Sequence, residues 1–131
     1  MNIQNRIKSI LGLLLLFFAG NAALATDYYF HPKLGNDANS GLSKNQAFQS
    51  LDRVKSLNLQ AGDRILLAAG QTFYGSLEII GFKGEKTEPL VIGSYSEQNN
   101  YPSKPAKIDA KGYLNGVLIE NSSFVRVQNL E

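Results

Sequence analysis

From Arg64 onward, short apolar runs alternate with Gly, Asn and Ser turns: Ile65-Leu66-Leu67, Leu77-Glu78-Ile79-Ile80, Leu90-Val91-Ile92, Lys107-Ile108, Gly116-Val117-Leu118-Ile119 and Phe124-Val125-Arg126-Val127. Their β-branched content and bounding turns predict a strand of about three to five residues from each. No helical period interrupts them, which disfavours a βαβ architecture. Leu66 to Val91 spans 25 residues and Val91 to Leu118 spans 27. A recurrence in that range marks a stacked solenoid, with two or three short strands in each period.

Upstream, Asp27-Tyr28-Tyr29-Phe30-His31 is aromatic and β-prone and reads as a first strand stopped by Pro32. Residues 34–41 are dense in Gly, Asn and Asp, which favour a compact loop. Asp37-x-Asn39-x-Gly41 resembles the opening of a calcium loop, but no bidentate acid follows at the right spacing, so it reads as a turn. Gln46–Leu57 is the one predicted helix: Phe48, Leu51, Val54 and Leu57 recur every three residues, with Ser43 or Asn45 placed to cap its start and Ala61-Gly62-Asp63 turning after it.

The first 25 residues stand apart. Arg6 and Lys8 precede an almost wholly apolar stretch, Ile10 to Ala19, and Ala23-Leu24-Ala25 supplies a small-x-small cut. This is the order of a secretory signal peptide, and the apolar core is shorter than the roughly 20 residues a membrane-spanning helix needs. Cleavage after Ala25 predicts an exported chain, periplasmic or extracellular, with no membrane attachment afterwards. Residues 26–131 carry 11 Lys+Arg and 11 Asp+Glu, so their net charge is zero, and nothing steers them toward nucleic acid.

The remaining composition closes off several chemistries. Among 131 residues there is no Cys and a single His, which excludes disulfide scaffolds, thiol nucleophiles, thiolate metal sites and multi-His zinc sites. His31 has no partner in view and reads as structural or exposed. Asn121-Ser122-Ser123 fits an N-glycosylation pattern, yet beside a bacterial-looking leader it reads as a turn between strands. Asn115 and Asn129 lie at strand edges suited to amide ladders.

The order of short motifs resembles the N-terminal portion of secreted right-handed parallel β-helix proteins. The residues that carry the likeness are Tyr28-Tyr29-Phe30 with Pro32, Gly35 to Gly41, Ala47-Phe48-Gln49-Ser50-Leu51, Ala61 to Leu67, Ala69-Gly70-Gln71-Thr72-Phe73, Pro89 to Tyr95 and Val125 to Glu131. The family is the pectate-lyase-like superfamily, with alginate lyase and chondroitinase B-like members. The resemblance implies an all-β fold: a leader at 1–25, a first strand, loop and capping helix at 26–63, and the first coils of a solenoid at 64–131, incomplete at the C-terminus.

The same resemblance implies a parent that cleaves an acidic polysaccharide by β-elimination. A cation, Ca²⁺ or a basic side chain, neutralises the uronate carboxylate, and a Lys or Arg removes the adjacent proton. No motif of that kind matches a residue here. Lys107, Lys111 and Arg126 read as surface cations, and Asp109 and Glu120 as surface carboxylates rather than an acid/base pair. The chain is therefore expected to have no catalytic, cofactor-binding or metal residues of its own and to be inactive alone. Ca²⁺ and polysaccharide would belong to later coils, and the uncapped end would favour self-association. The alternative is a non-catalytic surface β-helix that binds carbohydrate or protein partners.

Overall fold

The computed structural model describes residues 24–98 and 104–131, so residues 1–23 of the predicted leader lie outside the described residues. Eight strands form among them: β1 Asp27–Phe30, β2 Arg64–Ala68, β3 Thr72–Tyr74, β4 Leu77–Ile80, β5 Leu90–Tyr95, β6 Lys107–Asp109, β7 Val117–Glu120 and β8 Val125–Val127. The fold is all-β, as expected from the turn-bounded apolar runs. Thr72-Phe73-Tyr74 forms a strand the apolar pattern did not mark, because only Phe73 of the three is buried. No helix among the described residues is long and apolar enough to cross a membrane.

The strands assemble into three sheets, in the orders β1-β2-β5-β8, β3-β6 and β4-β7. From β2 onward the chain visits the three sheets in strict rotation, and every pairing between strands is parallel. Parallel neighbours need a crossover between them; from β2 onward each crossover runs through the other two sheets, whereas residues 31–63, with two 3₁₀ segments, connect β1 to β2. In the first sheet Arg64 lies opposite Val91, and Val91 opposite Arg126. The expected recurrence from Val91 to Leu118 is corrected by this register: Leu118 pairs with Glu78 in the third sheet. The expectation matched apolar triplets by spacing alone, whereas connections of unequal length separate the true partners. Residues 69–71 join β2 to β3, but residues 96–106 join the equivalent β5 to β6. Residues 75–76 join β3 to β4, against residues 110–116 between β6 and β7.

Alternation along the strands builds the core. Phe30, Ile65, Leu67, Phe73, Leu77, Ile79, Leu90 and Ile92 point into one interior cluster and are all but inaccessible. Each such side chain contributes about 1.5–3 kcal/mol by leaving water. The first sheet is covered on its other face too, where Leu66 and Ala68 pack with Tyr29 and Tyr95. Those two tyrosines meet edge to face, with ring centroids 5.1 Å apart.

The predicted α-helix at Gln46–Leu57 does not form. Two 3₁₀ segments, Lys44–Gln46 and Leu51–Ser56, take its place. The reason lies in the period. Apolar residues spaced by three drift around an α-helix but eclipse in a 3₁₀ helix, which has three residues per turn. Leu51 and Val54 are buried accordingly, and the Leu51–Ser56 helix packs against β4. Phe48 is taken by the sheet instead: its N–H donates to the Tyr29 carbonyl at 2.9 Å, and its carbonyl accepts from His31 N–H at 2.8 Å.

The expected caps fail as well. Ser43 makes no side-chain cap, and neither does Ser50 ahead of the second segment. Asp37 does that work from the preceding loop. Its Oδ1 accepts from the N–H groups of Gln49 and Ser50, both at 2.9 Å, and its Oδ2 accepts from Ser50 Oγ at 2.7 Å. The loop itself closes on Phe48. Gly41 has φ of 72° with the Phe48 ring directly against its α-carbon, leaving no room for a side chain.

Candidate functional site

A groove of about 360 Å³ runs between the Leu51–Ser56 helix and β4, with Val54, Leu57, Ile79 and Phe82 forming its apolar wall. Its polar edge is an ion pair, Lys55 Nζ to Glu78 Oε2 at 3.3 Å. Lys55 also reaches Asp52 at 3.3 Å. Hydrogen bonds that Lys55 donates to the two carboxylates, the one to Glu78 foremost, raise the lysine's pKa. The pattern of β4 explains the placement. Leu77 is sealed in the core, while Glu78, Ile79 and Ile80 all border the groove, Glu78 and Ile80 as the more exposed of the three. Sequence reasoning missed this concavity, because it lies between a strand and a segment expected as an α-helix that folds as a 3₁₀ helix.

A second surface lies where β3 leaves its sheet. Tyr74 and Tyr113 are both exposed, Lys111 Nζ stands 5.0 Å from the centre of the Tyr74 ring, and a small recess there is lined by Ser50, Asp52 and Ser76. Lys111 is thus held by an aromatic face. Lys107 pairs with Glu131 at 3.9 Å, and Arg126 is exposed on β8. The three bases considered from the sequence do not converge on one point.

Nor do the two carboxylates. Asp109 is on β6 opposite Tyr74, and Glu120 is on β7 opposite Ile80, in different sheets. Asp109 Oδ1 accepts from the Lys111 N–H at 3.1 Å, the bond of a local Asx turn. Such a group is occupied in shaping the chain rather than poised for proton transfer.

His31 resolves in favour of structure. It is 5% exposed, and its Nδ1 accepts from the N–H groups of Lys33 at 3.2 Å and Leu34 at 3.0 Å. That arrangement puts the imidazole proton on Nε2, which faces Glu97 Oε1 at 4.0 Å. Burial pushes the pKa below the ordinary imidazole value; Glu97 opposes the shift and Lys33 adds to it. Asp37 likewise carries protein donors on both oxygens. Burial would raise its pKa, but the Ser50 hydroxyl and the N–H groups of Ser50 and Gln49 outweigh that and hold it below the usual carboxylate range. At the sequon, Ser122 Oγ accepts from Phe82 N–H at 3.0 Å, and Asn121 adopts φ of 48° as a turn residue. Asn129 also adopts a left-handed conformation, and its backbone carbonyl, not its amide, accepts from Ser94 Oγ.

No family model matches the chain. Over 135 aligned residues it is 27% identical to lacto-N-biosidase from Bifidobacterium longum subsp. longum, a match that takes in 86% of this chain and 8% of that protein. Among solved structures it superposes on native GH136 lacto-N-biosidase from Eubacterium ramulus with a TM-score of 0.68 at 29% identity, covering 80% of this chain and 20% of that one. The selenomethionine form of the same enzyme gives a TM-score of 0.62 at 23% identity, over 96% of this chain and 23% of that one. The chain therefore spans less than a quarter of the length of any of these proteins.

These matches overturn the expected kinship. The chain is similar to lacto-N-biosidases, which are glycoside hydrolases, and not to the lyases of the pectate-lyase-like superfamily. The expected β-elimination of an acidic polymer falls with that assignment. Short parallel strands separated by turns signal a backbone arrangement that many chemistries share, so the motifs carried no information about the bond cleaved.

Proposed function

We propose that this chain is the N-terminal part of an exported glycoside hydrolase of the lacto-N-biosidase kind, and that it supplies scaffold rather than reacting groups. The observation that carries the reading is the superposition on the Eubacterium ramulus enzyme at 29% identity over 80% of the chain. In this reading residues 1–25 are a cleaved leader, residues 26–63 cover one end, and residues 64–131 form the first coils of a right-handed parallel β-helix. The strict rotation of the chain through three parallel sheets supports that architecture. Hydrolysis of a glycosidic bond uses two carboxyl groups about 5–10 Å apart across the scissile bond. Asp109 and Glu120 stand on different sheets and Asp109 is engaged in a turn, which supports placing the reacting pair, and the carbohydrate it acts on, outside this stretch. The outer edges of β7 and β8, which carry no further strand among the described residues, with Ile119 and Val127 half-exposed, support self-association of the isolated chain.

The test is a chimera. Residues 26–131 replace the superposed segment of the Eubacterium ramulus enzyme, and release of disaccharide from a chromogenic lacto-N-bioside is followed. A folded chimera that keeps hydrolysing the glycoside supports the scaffold role. A chimera with intact secondary structure and melting behaviour but no turnover counts against it.

A further inference from the structure

Asp63 is the one carboxylate sealed in the interior among the described residues, at 1% exposure. It lies in the turn just before β2. Its Oδ2 accepts from the Gln60 N–H and its Oδ1 from the Thr26 N–H, both at 2.8 Å. Among the described residues no Lys, Arg or His forms an ion pair with it. A buried carboxylate held by neutral donors alone is a costly arrangement, and a cationic partner offsets that cost.

The residue that donates to Oδ1 is also the first one after Ala23-Leu24-Ala25. Hydrolysis of the Ala25–Thr26 peptide bond, with water as co-reactant, leaves a carboxylate on Ala25 and a protonated α-amino group on Thr26. That nitrogen already stands 2.8 Å from Asp63 Oδ1. Leu24 is 88% exposed and Ala25 is exposed too, whereas Thr26 is partly buried and its carbonyl accepts from Arg64 N–H at 2.9 Å. The bond is thus presented outside while the new terminus is held inside.

We propose that leader removal creates the cation that Asp63 is built to receive, so that Asp63 is a receptor for the processed N-terminus. The proposal rests on the leader reading above, and it adds to it the partner of the new amine. Before processing, Asp63 binds an amide dipole. Afterwards it binds a full charge, and the start of β1 is pinned to the turn before β2 by a charge-assisted bond. Export and folding are thereby coupled through one side chain.

The full chain with its leader is expressed in a bacterial host, and the exported product is examined by intact mass and N-terminal sequencing. It is then treated at neutral pH with an amine-acylating reagent, and the N-terminal peptide is followed by mass spectrometry with lysine side chains as internal standards. An ion pair raises the pKa of an amine, and an amine whose pKa is higher by one has about tenfold less reactive free base. The expected result is a chain beginning at Thr26 whose α-amine acylates about tenfold more slowly when folded than in denaturing urea. Asp63→Asn is expected to abolish most of that protection. Where that variant fails to fold, the comparison of native and urea-unfolded wild type decides alone. A product beginning elsewhere, or uncut, overturns the leader reading and the proposal with it. A product beginning at Thr26 whose amine reacts equally fast folded and unfolded overturns the receptor role and leaves the leader reading standing.

Discussion

Phe48 rests against Phe30 with ring centroids 5.3 Å apart and planes inclined at 52°, and the same two residues form a parallel backbone bridge. One contact thus joins the loop after β1 back onto β1, through ring packing and hydrogen bonds together. The guanidinium of Arg53 sits 4.8 Å from the centre of the Phe48 ring. Phe48→Ala is expected to cost about 3–5 kcal/mol, measured as a fall in the urea midpoint. A loss below about 1 kcal/mol would show that the loop is not part of the cooperative unit.

Gly41 makes a sharper test of the same packing. A Cβ there would enter the space of the Phe48 ring, and φ of 72° strains any L-residue. Gly41→Ala is expected to destabilise by about 2–4 kcal/mol, from overpacking and left-handed strain combined. Gly70 is the control: it is also left-handed, at φ 72°, but a Cβ there would meet nothing within 4 Å. Gly70→Ala is expected to cost about 1 kcal/mol, from backbone strain alone.

Asp37 ties the loop to the start of the Leu51–Ser56 helix, and its folded pKa lies below its ordinary value. The stability it supplies is present above the ordinary carboxylate pKa and is lost as pH falls through the lower, folded one. Asp37→Ala is expected to cost about 1 kcal/mol at neutral pH, as for a lost helix cap. Urea titrations at descending pH should show the wild type and variant converging in acid.

His31 predicts a slope in the neighbouring range. The fold favours its neutral form, so below the ordinary value of 6.5 the unfolded chain binds more protons than the folded one. Stability is therefore expected to fall as pH drops below that value, until the folded group also titrates. His31→Gln should flatten the dependence, read from urea midpoints at a series of pH values. An unchanged slope would assign it to other groups.

Ile119 and Val127 project from β7 and β8, the last strands of their sheets among the described residues. Charged side chains discourage edge pairing. Ile119→Lys with Val127→Lys is expected to lower concentration-dependent association, followed by sedimentation velocity. Equal association of wild type and variant would count against pairing at these edges.

Most of the strands were legible because each is an apolar run closed by turn formers, and β4 falls on Leu77–Ile80 as expected. Thr72–Tyr74 was not, since a strand with one buried residue leaves no pattern. The Phe48, Leu51, Val54 and Leu57 spacing was visible, but a period of three describes a 3₁₀ helix better than an α-helix, and Phe48 answers to β1 rather than to its sequence neighbours. His31 and Asp37 were legible as candidates and not as solutions, because their partners are backbone N–H groups that no sequence pattern advertises. The likeness to glycoside hydrolases was not legible at all. It is carried by identity spread along the chain, 27% over 135 aligned residues, and by how whole sheets superpose, while the short motifs describe only strands and turns.

The connections at 96–106 and 110–116 are several times longer than their counterparts at 69–71 and 75–76, yet Phe73 still meets Ile108 and Leu77 still meets Val117. Register and outline are governed by different parts of the chain. The ladders set how one strand sits against its neighbour in each sheet, and the connections are free to grow without disturbing them. Such a molecule can acquire new surface by insertion at two places while keeping its interior spacing, so a change in recognition need not entail a change in the core.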